Sequence, residues 1–138
     1  MSIPVTGTIV RYPGSPNFPI IQPTGVEVDS HFGLITGDSD GSTITFDLNL
    51  SDWHAVTLGG NRTLALINVT VGQQFTIALT QAASGGPYAP TWFTTITWFG
   101  SPYAAPTMPA TASGVLVATF KCMSSGVYYG WWLGNSAA

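Results

Sequence analysis

From Val26 onward, apolar and polar residues alternate in short runs. Ile44, Phe46, Leu48 and Leu50 are interleaved with Thr43, Thr45, Asp47 and Asn49, the period-two pattern of a strand with one buried face. Val56 and Leu58 extend the pattern, and Gly59-Gly60-Asn61 predicts a tight turn into a strand carrying Leu64 and Leu66. Beyond Val71-Gly72, Phe75, Ile77 and Leu79 alternate with Gln74, Thr76 and Thr80. A Gly/Pro loop at 84–90 leads to a strand around 92–99, and a Pro-rich loop at 101–111 leads to a strand at 115–122. Ser124-Ser125-Gly126 then turns the chain into a last strand at 127–133. No window sets apolar residues at i, i+3, i+4 and i+7 beside Lys or Glu, which excludes a helical bundle. About seven or eight short strands without crossover helices predict an all-β fold over 26–138: an antiparallel β-sandwich or jelly-roll-like barrel.

Residues 1–25 follow another rule. Pro4, Pro13, Pro16, Pro19 and Pro23 each remove a backbone donor and fix φ, which bars an interior strand. The same stretch carries the apolar residues Ile3, Val5, Ile9, Val10, Tyr12, Phe18, Ile20 and Ile21. An extended arm lying on an apolar partner satisfies both facts. The alternative is a leading edge strand at about 6–12 followed by a loop.

Aromatic residues come in adjacent pairs: Trp92-Phe93, Trp98-Phe99, Tyr128-Tyr129 and Trp131-Trp132. Neighbours on a strand point to opposite faces, so each pair is expected to send one ring into the core and one outward. A surface apolar on both sides favours self-association or docking on a larger assembly. Trp92, Trp98, Tyr128, Trp131 and Trp132 are the candidate rings for an oligomer interface or for stacking on a sugar. A closed cyclic oligomer covers such a patch on every copy; a homotrimer is expected, with a dimer as the alternative.

Charge narrows the functions. Charged residues make up 7% of 138 residues, against roughly a quarter in average domains, and 18 Thr and 12 Ser supply much of the polarity. Arg11, Arg62 and Lys121 are the only Lys and Arg residues, too few to track a phosphate backbone, so direct nucleic-acid binding is not expected. All six acids lie between Glu27 and Asp52, which leaves few groups for acid–base catalysis. Cys122 is alone, so no intrachain disulfide is expected. The first residues lack the basic and apolar regions of a secretory signal, and no apolar run reaches the ~18 residues of a membrane helix.

Motif matches are weak. Gly37-Asp38-Ser39-Asp40-Gly41 fits G-x-S-x-G, but a nucleophile elbow needs a strand before it and a helix after it. Asp38-Ser39-Asp40-Gly41 also opens like a calcium loop, yet Asn49 stands where that loop needs Glu. Both read as a Gly/Asp turn. His31, His54 and Cys122 are too scattered for zinc, and Asn61-Arg62-Thr63 and Asn68-Val69-Thr70 read as turns more than as glycosylation sites. No catalytic residue, metal or cofactor is expected.

Between Thr43 and Trp132 the order of motifs resembles a known family. Ile44-Thr45-Phe46-Asp47-Leu48 precedes His54-Ala55-Val56-Thr57-Leu58-Gly59-Gly60-Asn61-Arg62-Thr63-Leu64. Then follow Asn68, Gly72-Gln73, Leu79-Thr80-Gln81 and a Gly-Gly loop. Thr97-Trp98 with Gly100, Pro106-Thr107, Thr111-Ala112, Thr119-Phe120 and an aromatic last strand complete the series. This resembles a β-sandwich module of tailed-bacteriophage virion proteins, found in tail-fibre-like and head-decorating proteins. The resemblance implies a non-enzymatic virion structural protein. The short chain, the Pro-rich arm and the two-sided aromatic strands favour a capsid decoration (cement) protein. Such a protein is made in the host bacterial cytoplasm and carried on the virion head. Its expected partners are its own copies and the major capsid protein, with no membrane, and the arm residues Ile3, Val5, Ile9, Tyr12, Phe18, Ile20 and Ile21 are the candidate capsid contacts. The alternative is a short tail or neck fibre, or a receptor-binding tip, and only there does carbohydrate enter as a partner.

Overall fold

The computed structural model describes residues 8–11, 19–22, 34–100 and 102–137. The chain divides into two compact units, 1–32 and 33–138. In the first, β1 (Thr8–Arg11) and β2 (Pro19–Gln22) form an antiparallel ladder that pairs Ile9 with Ile21 and Val10 with Ile20. The stretch read as an extended arm therefore contains a paired ladder, and Pro19 opens its second strand, where a missing donor is tolerated. Of the candidate capsid contacts, Ile9, Ile20 and Ile21 are strand positions. Ile3, Val5, Tyr12 and Phe18 lie outside the described residues.

The second unit is all-β, with nine strands among the described residues. They are β3 (Thr36–Gly37), β4 (Thr43–Asp47), β5 (Trp53–Leu58), β6 (Arg62–Ile67), β7 (Gln74–Gln81), β8 (Pro90–Thr91), β9 (Ile96–Phe99), β10 (Val115–Ser124) and β11 (Val127–Ser136). A six-stranded sheet runs β3-β5-β7-β10-β11-β9, and a three-stranded sheet runs β4-β6-β8. From β3 to β8 the chain alternates between the sheets, one strand in each, as a two-sided coil. Like strands therefore stack in parallel: β3 on β5, β5 on β7, β4 on β6 and β6 on β8. Only then does the chain turn antiparallel, with β10 pairing both β7 and β11. β9 closes the far edge, parallel to β11.

The expectation of a purely antiparallel sheet is thus corrected to mixed sheets. Parallel neighbours need a crossover of a dozen or more residues, and here each strand of the opposite sheet supplies it. Gly59-Gly60-Asn61 accordingly makes a corner from β5 in one sheet to β6 in the other, and not a hairpin.

Stacked corners lie about one strand spacing apart, within reach of side chains. Arg62 grips Asp40 through Nε (2.8 Å) and a terminal nitrogen (2.6 Å). Asn61 Oδ1 accepts the Ala89 amide, Asn68 Nδ2 donates to Asp47 Oδ1, and Gln73 Nε2 donates to both the Leu48 carbonyl and Asp52. Both sequon asparagines are therefore corner ties, and Asn68 has the positive φ of a turn residue. Buried Gln81 bonds the Tyr88 amide and carbonyl, which satisfies its side chain and closes the 82–90 loop.

The core lies between the sheets and has two ends. Ile44, Phe46 and Leu64 of the small sheet, with Leu48 just after β4, meet Val56, Leu58, Ile77 and Leu79 of the large one. Past the small sheet, rings take over as the second layer. Phe75, Trp92, Phe93 and Trp98 surround Phe120 at centroid distances of 5.1–5.6 Å. Trp98 lies over Gly130, where a Cβ would sit 3.0 Å from its ring. Among the described residues no helix is long and apolar enough to cross a membrane.

Candidate functional site

The outward residues of the six-stranded sheet form rows set by register. One row crosses the sheet as Trp53, Thr76, Thr119, Trp131 and Phe99. Thr76 and Thr119 are joined by a 3.2 Å hydroxyl bond, and Phe99 stacks on Trp131 at 5.4 Å and 18°. Beside it run Ala55, Ala78, Val117 and Gly134, a shallow channel of small residues. On the other side run Gln74, Lys121, Tyr129 and Thr97, and the Tyr129 ring closes on Phe99 at 4.7 Å. Among these outward positions Lys121 is the one charge.

Parity explains which rings arrive here. Tyr128 and Tyr129 split as alternation requires, but Tyr128 is the inner one: it is 7% exposed, and burial pushes its phenol pKa up. As a candidate interface ring Tyr128 is therefore corrected to a core residue. Trp98 points inward and Phe99 outward, also as alternation requires. Trp92 and Phe93 do not split, because they follow β8 in irregular chain and both pack on Phe120. Trp92 and Trp98 are consequently half-buried against the core.

Trp131 and Trp132 depart furthest from expectation. Neither enters the core: they are 36% and 47% exposed. Trp132 pairs with Ala118, an inward position, and the register shift beside it makes Leu133 the extra residue. Trp132 instead lines a cleft against the loop after β9. Phe99 and Tyr129 are the outward members of pairs expected to split, whereas Trp53 was missed in the sequence. Its signal was present, since Trp53 alternates with the apolar Val56 and Leu58 face.

Set against family models, curated proteins and solved structures, the chain matches none.

The polar motif resolves into structural contacts. His54 is fully buried, with Nδ1 2.8 Å from Asp38 Oδ2 and Nε2 3.1 Å from the Ser51 carbonyl. A carbonyl only accepts, so the tautomer that suits this contact carries its proton on Nε2. Burial raises the Asp38 pKa, and the hydrogen bond and charge of His54 pull it back down. Ser51 donates its hydroxyl to the Trp53 carbonyl and accepts from Thr36. Both His54 nitrogens are thus occupied by groups other than a hydroxyl. Asp40, the other acid of the motif, is held below the usual carboxylate range by its hydrogen bonds from Arg62. The two acids serve different partners, and no group of three or more metal-ligating side chains occurs among the described residues.

Proposed function

We propose that the protein is a non-enzymatic structural component of a tailed-bacteriophage particle: a capsid decoration protein that assembles as a homotrimer and seats on the major capsid protein. In this reading the two facing sheets are the β-sandwich module that the sequence resembles, and the particle's outer head surface is where the protein ends up. The observation that supports it is the outward face of the six-stranded sheet. Exposed apolar patches mark interaction surfaces, and here Trp53, Phe99 and Trp131 stand partly open on a face whose described strand positions hold a single charge, Lys121. A second copy of the chain fits that face: a nearly uncharged surface sets up no like-charge repulsion against a neighbouring copy, and a closed ring gives every copy the same contact.

Sedimentation at micromolar concentration tests the assembly. Wild type is expected as a trimer, and Trp131→Ser as a folded species of lower mass. A folded wild-type monomer overturns self-association. Immunolabelling of intact particles tests the location: label over the whole head supports decoration, and label confined to tail or neck overturns it.

A further inference from the structure

A second surface lies where β11 outruns the small sheet. The chain leaving β9 passes Trp132 and Asn135 and encloses a cleft of about 360 Å³, at the small end of the range for ligand sites. Three rings line it: Phe99, Tyr103 and Trp132. Tyr103 is 76% exposed and has φ of +60°, a backbone conformation that bulky residues adopt at a cost. Asn135 is oriented within the cleft, accepting from Trp132 Nε1 at 3.3 Å and donating to the Thr107 carbonyl at 3.4 Å. None of the lining residues carries a charge.

We propose that this cleft binds a neutral saccharide through one or two hexopyranose rings. An uncharged lining offers no counter-ion to a phosphate or a carboxylate, which would lose its hydration for nothing. The Asn135 amide and the Thr107 carbonyl, each already in a hydrogen bond, keep a second N–H and a second lone pair that a wholly apolar ligand would not use. A hexopyranose answers both. Its C–H face packs on Tyr103 or Trp132, its equatorial hydroxyls reach the amide and the carbonyl, and its outer edge stays wet because the cleft is open. The inference does not rest on the head assignment, since binding here needs neither particle nor oligomer.

The test is a titration of the purified chain with methyl glucoside, methyl galactoside and methyl mannoside, read by NMR at the Trp132 indole N–H. N-acetylneuraminic acid is the charged comparison and benzyl alcohol the apolar one. At least one neutral glycoside is expected to shift Trp132 saturably, with millimolar affinity. Tyr103→Ala, on an exposed loop, is expected to weaken that glycoside at least tenfold while Tyr103→Phe retains it. Trp53→Ser, at the far edge of the sheet's outer face, should leave affinity unchanged. No shift with any neutral glycoside overturns the proposal. So does tighter binding of either comparison compound, or equal loss in Trp53→Ser, which would put the sugar on the sheet face.

Discussion

The coil of β3–β8 and the aromatic end formed by β9–β11 with residues 92–95 share one core but are held together differently. In the coil, strands are short and parallel, the apolar side chains are mostly aliphatic, and polar side chains tie one corner to the next. At the aromatic end, β10 and β11 are ten residues each and antiparallel, no carboxylate side chain occurs, and rings around Phe120 replace the missing second sheet. Among the described residues, every acid thus serves to tie the coil, and a whole end is left to ring packing. That end also carries the exposed surfaces, because rings can cover a core edge while presenting another face to a partner.

The comparison is broken most directly in the cores. Phe120→Ala is expected to cost about 3–5 kcal/mol in urea unfolding, the range for deleting a buried ring, and to erase most of the near-UV circular dichroism. Leu64→Ala in the coil is expected to cost about 2–3 kcal/mol, toward the lower end of such truncations, with the near-UV signal kept. Equal loss of that signal in both variants would mean that the two ends pack as one unit. Next in size is the buried pair. Asp38→Ala leaves His54 Nδ1 without its partner and is expected to cost about 1–3 kcal/mol in thermal or urea melts. Asp38→Asn should cost less, since its amide can donate to a neutral Nδ1.

The smallest effect is on pH. Arg62 lowers the pKa of Asp40, and the Asn68 side chain and the Asn49 amide lower that of Asp47. A carboxylate with a depressed folded pKa contributes stability above its unfolded value, here 3.8, and that contribution is lost as pH falls through the folded pKa. Asp38 is raised and works in the opposite sense. Amide exchange below about pH 4 should therefore accelerate in β4 and β6 before β10 and β11, and Asp40→Asn with Asp47→Asn should remove the difference. Uniform acceleration would show that the corner ties carry no local stability.

Strand positions were legible wherever alternation was long. Residues 74–80 and 115–122 were read as strands and lie within β7 and β10. Pairing direction was not legible, because a half-buried strand alternates identically in parallel and antiparallel neighbours. The trace of the coil was the recurrence of Ile44 with Leu64, Asp47 with Asn68 and His54 with Ile77, partners too unlike in type to read as a repeat. Of the candidate rings, Trp131 and Trp132 were expected to split between core and surface, and both lie at the surface. Parity alone could not say which of Tyr128 and Tyr129 faces the core, and the register shift beside Trp132 left no mark in the residue pattern.

The hairpin at the end of the second unit bears on how the chain finds its shape. Ser125-Gly126 joins β10 to β11, and Gly126 has the positive φ that such a turn requires. Ser124 meets Val127 across that turn, whereas every described pairing in this unit outside the β10–β11 hairpin joins residues at least as far apart as Thr36 and His54. Closing a longer loop costs more chain entropy, and hairpins form within microseconds. The cheapest contact to make is therefore synthesised after the whole of the coil. During synthesis the coil waits for β10, the strand that pairs with β7, and its apolar faces stay open until that strand arrives.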